Sequence, residues 1–388
     1  MKNGLHVMDS DLHLMEPDDL WDRFLDSAWK PQAPKFSHNP LFPKSTTNKT
    51  MMVQGQAIPA YHQHAAAVGN ISALERRTVA SNAHYQLAME RGFDPETHLA
   101  AMDLEGIDIG VLYATRGRQI LCADQLEPGY ALALCRAYNN WTHDYVRLNP
   151  QRMRLAAQVP FHDARLAAEE ARRAATELGA VAIVGVPTPV NGRVLHDEFF
   201  DPLWAEVERL GIAVGFHPTG ASSLKADIGM RYAGHTAFFP ISHAARNPME
   251  NMLALASLSM GGVFERFPGL RVAFLESTCG WLPWWLERLD DQWEKYGSGC
   301  EVKLSAKPSE YFFRNCYVAT DADEEQLARV IDQIGDEHIV VSTDYPHADG
   351  IFPEATNNFL AMKGVSEASK RRILWDNCAR LYGIDAAK

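Results

Sequence analysis

Eight short apolar segments, most of them followed by a helical pattern, recur along this chain of 388 residues. Strands that alternate with helices predict parallel pairing through right-handed crossovers. Eight such units favour a closed (β/α)8 TIM-type barrel, and a doubly wound open sheet is the alternative. The predicted strands are His6–Leu12, Ile109–Ala114, Leu155–Val159, Val181–Val186, Ala213–His217, Val272–Glu276, Tyr317–Ala319 and Ile339–Thr343.

Two stretches interrupt the repeat of strand and helix. Residues from about 31 to 97 follow the first strand and are rich in Pro, Asn, Gln and His, and residues from about 221 to 252 follow the fifth strand. Insertions after barrel strands lie on the catalytic face, so we expect both to form lids or walls of a substrate site. No linker suggests a second domain, and residues 1–388 are expected to form one domain.

Composition excludes several classes of protein. Apolar residues make up 46% of the chain and charged residues 22%, which is enough for a large core. The net charge of −12 argues against nucleic acid as a partner, and no apolar stretch is long enough to span a membrane. The six cysteines form no CxxC pair, and the N-terminus runs straight into a strand without room for a signal peptide. These features predict a cytoplasmic protein that acts on a small molecule.

Metal-binding side chains stand at the ends of three predicted strands. Asp11 and His13 end the first strand, His217 ends the fifth, and Asp344 ends the eighth. Side chains at the carboxyl ends of barrel strands point into the mouth of the barrel, where active sites of this fold lie. Two imidazoles and two carboxylates converging there would suit a first-row divalent metal. The pattern therefore predicts a metal-dependent enzyme.

Each of these residues also has a structural interpretation. Asp11 could cap a turn, and His13 and His217 could be interior histidines whose ring nitrogens are hydrogen-bonded to other protein groups. Asp344 follows an apolar strand, and a buried carboxylate there needs a cation, an arginine or amide donors. The metal interpretation is favoured because such residues recur at strands one, five and eight.

Five segments, taken in order and spacing, resemble the amidohydrolase superfamily. The similarity is to the amidohydrolase-related branch, which includes aminocarboxymuconate-semialdehyde decarboxylase and the resorcylate and carboxyvanillate decarboxylases. This resemblance implies Asp11, His13, His217 and Asp344 as metal ligands, and hydrolysis or non-oxidative decarboxylation of a small carboxylated, aromatic-derived substrate. The segments are Met8–Pro17, Gly215–Pro218, Gly262–Pro268, Leu275–Pro283 and Ser342–His347.

The chain departs from this pattern at two positions. Asp11 stands where many relatives carry the first histidine of an HxH pair. A carboxylate oxygen is a harder ligand than an imidazole nitrogen, so the site is less typical of zinc. Glu276 stands at the end of the sixth strand, where decarboxylase relatives carry a catalytic histidine. Glu276 could be a general base, an additional metal ligand, or a structural carboxylate. The fourth strand, which ends at Val186, offers no lysine or glutamate to bridge two metals.

Several other residues are candidates for the site. His243, in the second insertion, could replace the missing histidine as a proton donor, or could be a packing residue like its neighbour His235. His347 could reach the metal or hydrogen-bond one of its ligands. Arg246 and Arg116 are candidate anchors for a substrate carboxylate. The tryptophan-rich helix after the sixth strand favours a homodimer or a higher homo-oligomer; its members are Trp281, Trp284 and Trp285.

The sequence therefore predicts an enzyme with one divalent ion, zinc or else manganese or iron, in which Asp344 or Glu276 takes a proton. Two alternatives remain open. A second ion held by Glu276 and His347 would indicate a dinuclear iron or manganese–iron hydroxylase. A barrel that has lost its catalytic histidine could instead serve as a non-catalytic partner subunit.

Overall fold

Eight parallel strands form the central sheet of the computed structural model. The structure describes residues 1–38, 49–58, 82–218, 228–232, 238–347 and 350–384. Strand order follows the chain, β1-β5-β6-β7-β8-β9-β10-β11, and β2, β3 and β4 form a separate antiparallel sheet. The strands are β1 Met8–Leu14, β2 Lys35–His38, β3 Lys49–Val53, β4 Gln56–Ile58, β5 Ile109–Ala114, β6 Met153–Ala157, β7 Ala182–Gly185, β8 Ala213–Phe216, β9 Arg271–Phe274, β10 Cys316–Asp321 and β11 Ile339–Ser342.

Helices cover the outside of the central sheet. β7, β8 and β11 are buried along their whole length, as expected of parallel strands packed on both faces. The helices are α1 Leu20–Phe24, α2 Ala83–Glu90, α3 Pro95–Glu105, α4 Pro128–Val146, α5 Ala164–Glu177, α6 Asp201–Leu210, α7 Phe238–Met260, α8 Val263–Arg266, α9 Leu282–Tyr296, α10 Pro308–Asn315, α11 Leu327–Ile334, α12 Ala355–Ala361, α13 Glu367–Arg371 and α14 Asn377–Tyr382. No helix in these described ranges is both long and apolar enough to cross a bilayer.

Helix α5 shows how local sequence sets the outer layer. The side chain of Asp163 accepts hydrogen bonds from the backbone N–H groups of Arg165 and Leu166, at 2.9 and 3.0 Å, and so caps the helix N-terminus. Ala174 packs with Leu155 and Ala157 of β6 in a small buried cluster. Leu155 and Ala157 therefore face outward from β6, and Ala156 between them faces the barrel interior.

Side chains close the barrel between its first and last strands. β1 and β11 stand at opposite ends of the hydrogen-bonded strand order. The Ser10 hydroxyl donates to the Val341 carbonyl oxygen at 2.7 Å. The Asp9 carboxylate accepts from both the hydroxyl and the backbone N–H of Thr343, at 2.6 and 3.1 Å. We call these contacts the β1–β11 seam; they complete the barrel and confirm the predicted fold class.

The structure differs from the sequence prediction at some boundaries. β6 ends at Ala157 rather than Val159, because the backbone N–H of Gln158 bonds to the Asn139 side chain instead of a neighbouring strand. β10 runs on to Asp321, beyond the predicted end at Ala319. The range expected as a second insertion, residues 221–252, includes the start of α7 at Phe238. The first insertion, residues 31–97, contains β2 to β4 and α2 among its described residues.

We expect Thr343→Val to lower the free energy of unfolding by about 1–3 kcal/mol, because it leaves the buried Asp9 carboxylate without its hydroxyl donor. Denaturant unfolding of the wild type and the variant measures this change. Thr176→Val is the matched control, since its hydroxyl makes a 2.8 Å bond on an exposed face of α5. Equal losses in the two variants would contradict a special role for the seam.

Candidate metal centre

Asp11 and His13 lie side by side at the carboxyl end of β1, and both are fully buried. They are two residues apart on one strand and therefore point to the same side. The pairing of β1 with β5 shifts register between Asp9 and Leu12. Such irregularities re-aim side chains and are common beside active sites. The His13 Nε2 atom lies 3.4 Å from Asp11 Oδ1.

His217 follows β8 and faces the same point. Its Nδ1 lies 2.9 Å from the carbonyl oxygen of Pro218, which can only accept, so the ring proton belongs on Nδ1. The lone pair of Nε2 is then directed at its neighbours, 3.1 Å from His13 Nε2 and 3.6 Å from Asp11 Oδ2. An imidazole held in one tautomer by a backbone carbonyl is the usual arrangement of a metal-binding histidine.

The backbone of both Asp344 and Glu276 is in the strained left-handed conformation where these residues reach the site. Asp344 follows β11 with φ 57°, and Glu276 follows β9 with φ 45°. Non-glycine residues in this left-handed region cost about 1–3 kcal/mol, and such strain concentrates at functional sites. Asp344 Oδ1 lies 3.1 Å from His13 Nε2, and Glu276 Oε2 lies 2.7 Å from His217 Nε2. The strained turns thus direct both carboxylates at the histidines of β1 and β8.

His347 completes the arrangement on the loop after β11. Its Nδ1 lies 2.8 Å from Asp344 Oδ1, and its Nε2 lies 3.1 Å from the hydroxyl oxygen of Thr115. The ring stacks on His13 with centroids 4.0 Å apart. Burial lowers the pKa of His347, but the charge and hydrogen bond of Asp344 outweigh it and raise the pKa to about 9. His347 thus contacts the candidate ligand Asp344, and whether it also reaches a metal stays a prediction.

The charges of this cluster are suited to pairing with a cation. Neither oxygen of the buried Asp11 carboxylate accepts a hydrogen bond from the part of the chain that the structure describes. Burial, and then the charges of Asp344 and Glu276, hold the pKa of Asp11 well above its usual range. A buried carboxylate without donors is costly unless a positive charge pairs with it. Oxygen and imidazole donors of this kind fit a divalent first-row metal.

The donor atoms fall into two overlapping groups in which all atoms lie within 4.8 Å of one another. One group is Asp11, His13 and His217, and the other is His13, Glu276, Asp344 and His347. His13 belongs to both. The structure thus brings together all six residues that the sequence predicted as metal ligands, and their roles as ligands remain predictions.

Arg118 is a site residue that sequence analysis missed. Its Nη1 atom lies 3.2 Å from His217 Nε2 and 3.4 Å from His13 Nδ1, and its Nη2 atom lies 3.6 Å from Glu276 Oε2. Sequence analysis had selected Arg116, whose Nη1 donates instead to the backbone carbonyl oxygen of Glu16 at 2.9 Å. Both arginines follow β5, and an irregular 3₁₀ turn decides which one faces inward.

Helix α7 contributes His243 and Asn247 to the site. Asn247 Nδ2 donates to Glu276 Oε1 at 3.0 Å, and His243 Nε2 lies 3.6 Å from the same oxygen. Asn247 was not predicted; its position four residues after His243 on one helix face is the only signal for it. Arg246 is buried on the same helix, while His235 lies outside the described residues.

We expect Asp11→Asn to keep or raise the stability of the metal-free protein, because it removes one of several crowded buried carboxylates. The variant should lose the rise in melting temperature that manganese gives the wild type. Thermal unfolding with and without manganese, after chelation, measures both effects. Asp332→Asn, on the exposed face of α11, is the control and should respond to manganese like the wild type. A full manganese response in Asp11→Asn would contradict the assignment.

A family model described as Amidohydrolase matches residues 58–384 of the chain, a range that begins after β1. The chain is 27% identical over 297 residues to 2-amino-3-carboxymuconate-6-semialdehyde decarboxylase of Dictyostelium discoideum, covering 76% of this chain and 78% of that protein. It is 28% identical over 275 residues to gamma-resorcylate decarboxylase of Rhodococcus jostii, covering 66% and 78%.

A solved structure shares the same fold. It is 5-carboxyvanillate decarboxylase from Novosphingobium aromaticivorans, complexed with manganese and 4-hydroxy-3-methoxy-5-nitrobenzoic acid. The TM-score is 0.69 at 19% identity, over 99% of this chain and 97% of that one. With the family match and the decarboxylase relatives, the prediction of an enzyme of the hydrolase or decarboxylase kind is confirmed. This chain belongs to the amidohydrolase family.

Proposed function

We propose that this enzyme catalyses the metal-dependent, non-oxidative decarboxylation of a small aromatic carboxylate. The observation that carries the proposal is the guanidinium of Arg118, which lies within 3.6 Å of His13, His217 and Glu276. A planar cation beside a cluster of metal donors is suited to hold a carboxylate against that cluster. The two relatives named above are decarboxylases, which favours this reaction over hydrolysis, the remaining alternative.

Asp11, His13, His217 and Asp344 would hold the ion. A divalent ion bound there supplies Lewis acidity that draws electron density from a substrate oxygen. Two carboxylates in the donor set favour a harder ion than zinc, and the related 5-carboxyvanillate decarboxylase is complexed with manganese. We therefore propose manganese as the ion, whereas the sequence alone left zinc, manganese and iron open.

The residues around the metal donors orient the substrate and supply the proton. Arg118 orients the substrate carboxylate and places the bond to be broken beside Glu276. As that carbon–carbon bond breaks, carbon dioxide leaves, and the electron pair left on the ring carbon takes a proton. His243 Nε2 and Glu276 Oε1, 3.6 Å apart and both next to Asn247 Nδ2, hold that proton at the edge of the site.

A second candidate function follows from the sharing of His13 by two donor groups. A second ion on Glu276 and His347 would make the centre dinuclear, as in an iron or manganese–iron hydroxylase. That function predicts two ions per chain and consumption of oxygen during turnover. One ion per chain and turnover without oxygen favour the decarboxylase.

Two further expectations stay predictions. They are the homodimer or higher homo-oligomer expected from the tryptophan-rich helix, which is α9 in the structure, and the cytoplasmic location.

We expect His217→Ala to lose both bound metal and activity, because it removes a donor that a backbone carbonyl holds in its binding tautomer. Elemental analysis of the purified protein, in ions per chain, measures the metal directly. His6→Ala is the matched control, since His6 is exposed and precedes β1 at the opposite end of the barrel. Full metal occupancy in His217→Ala would overturn the assignment.

We expect Arg118→Lys to weaken the binding of benzoate to the manganese-loaded protein by about tenfold or more. Lysine keeps the charge but loses the two-pronged contact with a carboxylate. Isothermal titration measures the dissociation constant. Arg116→Lys is the control and should bind benzoate like the wild type, because its guanidinium contacts the Glu16 backbone. If only Arg246→Lys weakens binding, the carboxylate anchor is Arg246, as the sequence had suggested.

A further inference from the structure

Arg118 reaches the candidate metal centre from a short turn that follows β5. The turn carries two arginines, Arg116 and Arg118, and the guanidinium of Arg118 lies 3.2 Å from His217 Nε2. β5 ends at Ala114, so strand alternation no longer decides the direction of either arginine. The direction of each side chain therefore depends on the contacts that hold the turn itself.

The carboxylate of Glu16 holds this turn by its backbone. Glu16 Oε1 accepts from three successive N–H groups, those of Thr115, Arg116 and Gly117, at 3.1, 3.1 and 2.9 Å. Glu16 Oε2 accepts from the same N–H of Arg116 at 3.0 Å. Successive backbone N–H groups form a concave site for an anion, and hydrogen bonds to a charged acceptor are roughly twice as strong as neutral ones. We call these four bonds the Glu16 clamp; they end one residue before Arg118.

The position of Glu16 in the chain suits it to this contact. It follows His13 by three residues on the segment that leaves β1, and it is only 3% exposed. β1 and β5 are neighbours in the sheet, so their carboxyl ends lie side by side. A buried carboxylate needs donors, and the N–H groups of the turn supply them. The clamp therefore joins the strand end that carries Asp11 and His13 to the turn that carries Arg118.

Glu16 also holds the other arginine of the turn. Arg116 Nη1 donates to the backbone carbonyl oxygen of Glu16 at 2.9 Å. Arg118 Nη1 instead donates to the carbonyl oxygen of Ala114 at 3.1 Å and lies 3.4 Å from His13 Nδ1. The carboxylate of Glu16 thus fixes the backbone of the turn, and its carbonyl group fixes the side chain of Arg116. The two contacts together leave Arg118 as the arginine beside the metal donors.

Thr115 extends the clamp to the loop after β11. Its N–H donates to Glu16, and its hydroxyl oxygen lies 3.1 Å from His347 Nε2. The Glu16 carboxylate belongs to neither group of candidate metal donors in the described ranges. Glu16 therefore acts on the site through residues of the turn and not by direct contact with the metal donors.

We propose that Glu16 is a positioning residue that orients Arg118 to bind the substrate carboxylate. The inference rests on the proposed function, in which Arg118 is the carboxylate anchor. A guanidinium binds a carboxylate best when two of its N–H groups align with both oxygens, so the direction of Arg118 sets the affinity. Weakening the clamp keeps the charge of Arg118 but releases its direction. The loss then falls on carboxylate binding and not on the metal.

The test is a double-mutant cycle on the manganese-loaded protein, with benzoate as the probe and isothermal titration as the measurement. Glu16→Gln removes the charge and one of the two acceptor oxygens while it keeps the shape of the side chain. We expect this variant to bind benzoate about fivefold more weakly than the wild type. In an Arg118→Ala background the same change should alter the affinity by less than about twofold, because residues that act through one contact are not additive.

Glu105→Gln is the matched control for loss of a buried carboxylate. Glu105 also accepts from a backbone N–H, that of Thr356 at 2.7 Å, but it ends α3 before β5 begins, at the opposite end of the barrel. This variant should bind benzoate like the wild type. Equal weakening by Glu16→Gln in the wild-type and Arg118→Ala backgrounds would overturn the inference. Glu16→Asp keeps the charge but shortens the side chain, and it gives the same cycle if the glutamine variant does not fold.

Metal content and the Arg118 variant separate this inference from the proposed function. Glu16→Gln should keep the manganese content of the wild type in elemental analysis, and loss of manganese would show that Glu16 acts on the metal donors instead. If Arg118→Ala alone binds benzoate like the wild type, the proposed carboxylate anchor fails. If Arg118→Ala weakens binding and Glu16→Gln does not, the positioning role of Glu16 fails and the anchor stands.

Discussion

The crowding of buried carboxylates around two imidazoles is the constraint on which the rest of this structure depends. Asp11, Asp344 and Glu276 approach His13 and His217 closely, and the guanidinium of Arg118 lies among them. In a dry interior such a group of like charges is unfavourable unless a further positive charge joins it. The left-handed backbone of Asp344 and Glu276 adds to that cost. The barrel therefore maintains a candidate metal site whose donor atoms are suited to a divalent ion.

The β1–β11 seam ties this site to the stability of the fold. Asp9 and Thr343 join the first strand to the last, and they lie two residues before Asp11 and one residue before Asp344. The backbone N–H of His13 also donates to the Tyr345 carbonyl oxygen at 2.7 Å. The contacts that close the barrel thus also fix the spacing between the donors of its first and last strands. A change that loosens the seam would move ligands as well as destabilise the sheet.

The mouth of the barrel divides into two sides with different chemistry. The donors of β1, β8, β9 and β11 are crowded and charged, while the strand exits of β5 to β7 contribute none of the grouped donors. Arg118 lies where the two sides meet. Arg118 therefore offers a positive charge beside the donors, on the side of the mouth that contributes none of them.

The sequence by itself determined the barrel and the set of donors. Apolar runs alternating with helices specify parallel strands, whose carboxyl ends meet at one face, so Asp11, His13, His217 and Asp344 had to converge. Tertiary structure alone decided which neighbouring side chains face inward where the strands end. The 3₁₀ turn after β5 places Arg118 rather than Arg116 beside the donors, and the left-handed backbone at Glu276 sets where its carboxylate points. Strand periodicity no longer applies beyond those exits, and long-range contacts set the direction of each side chain.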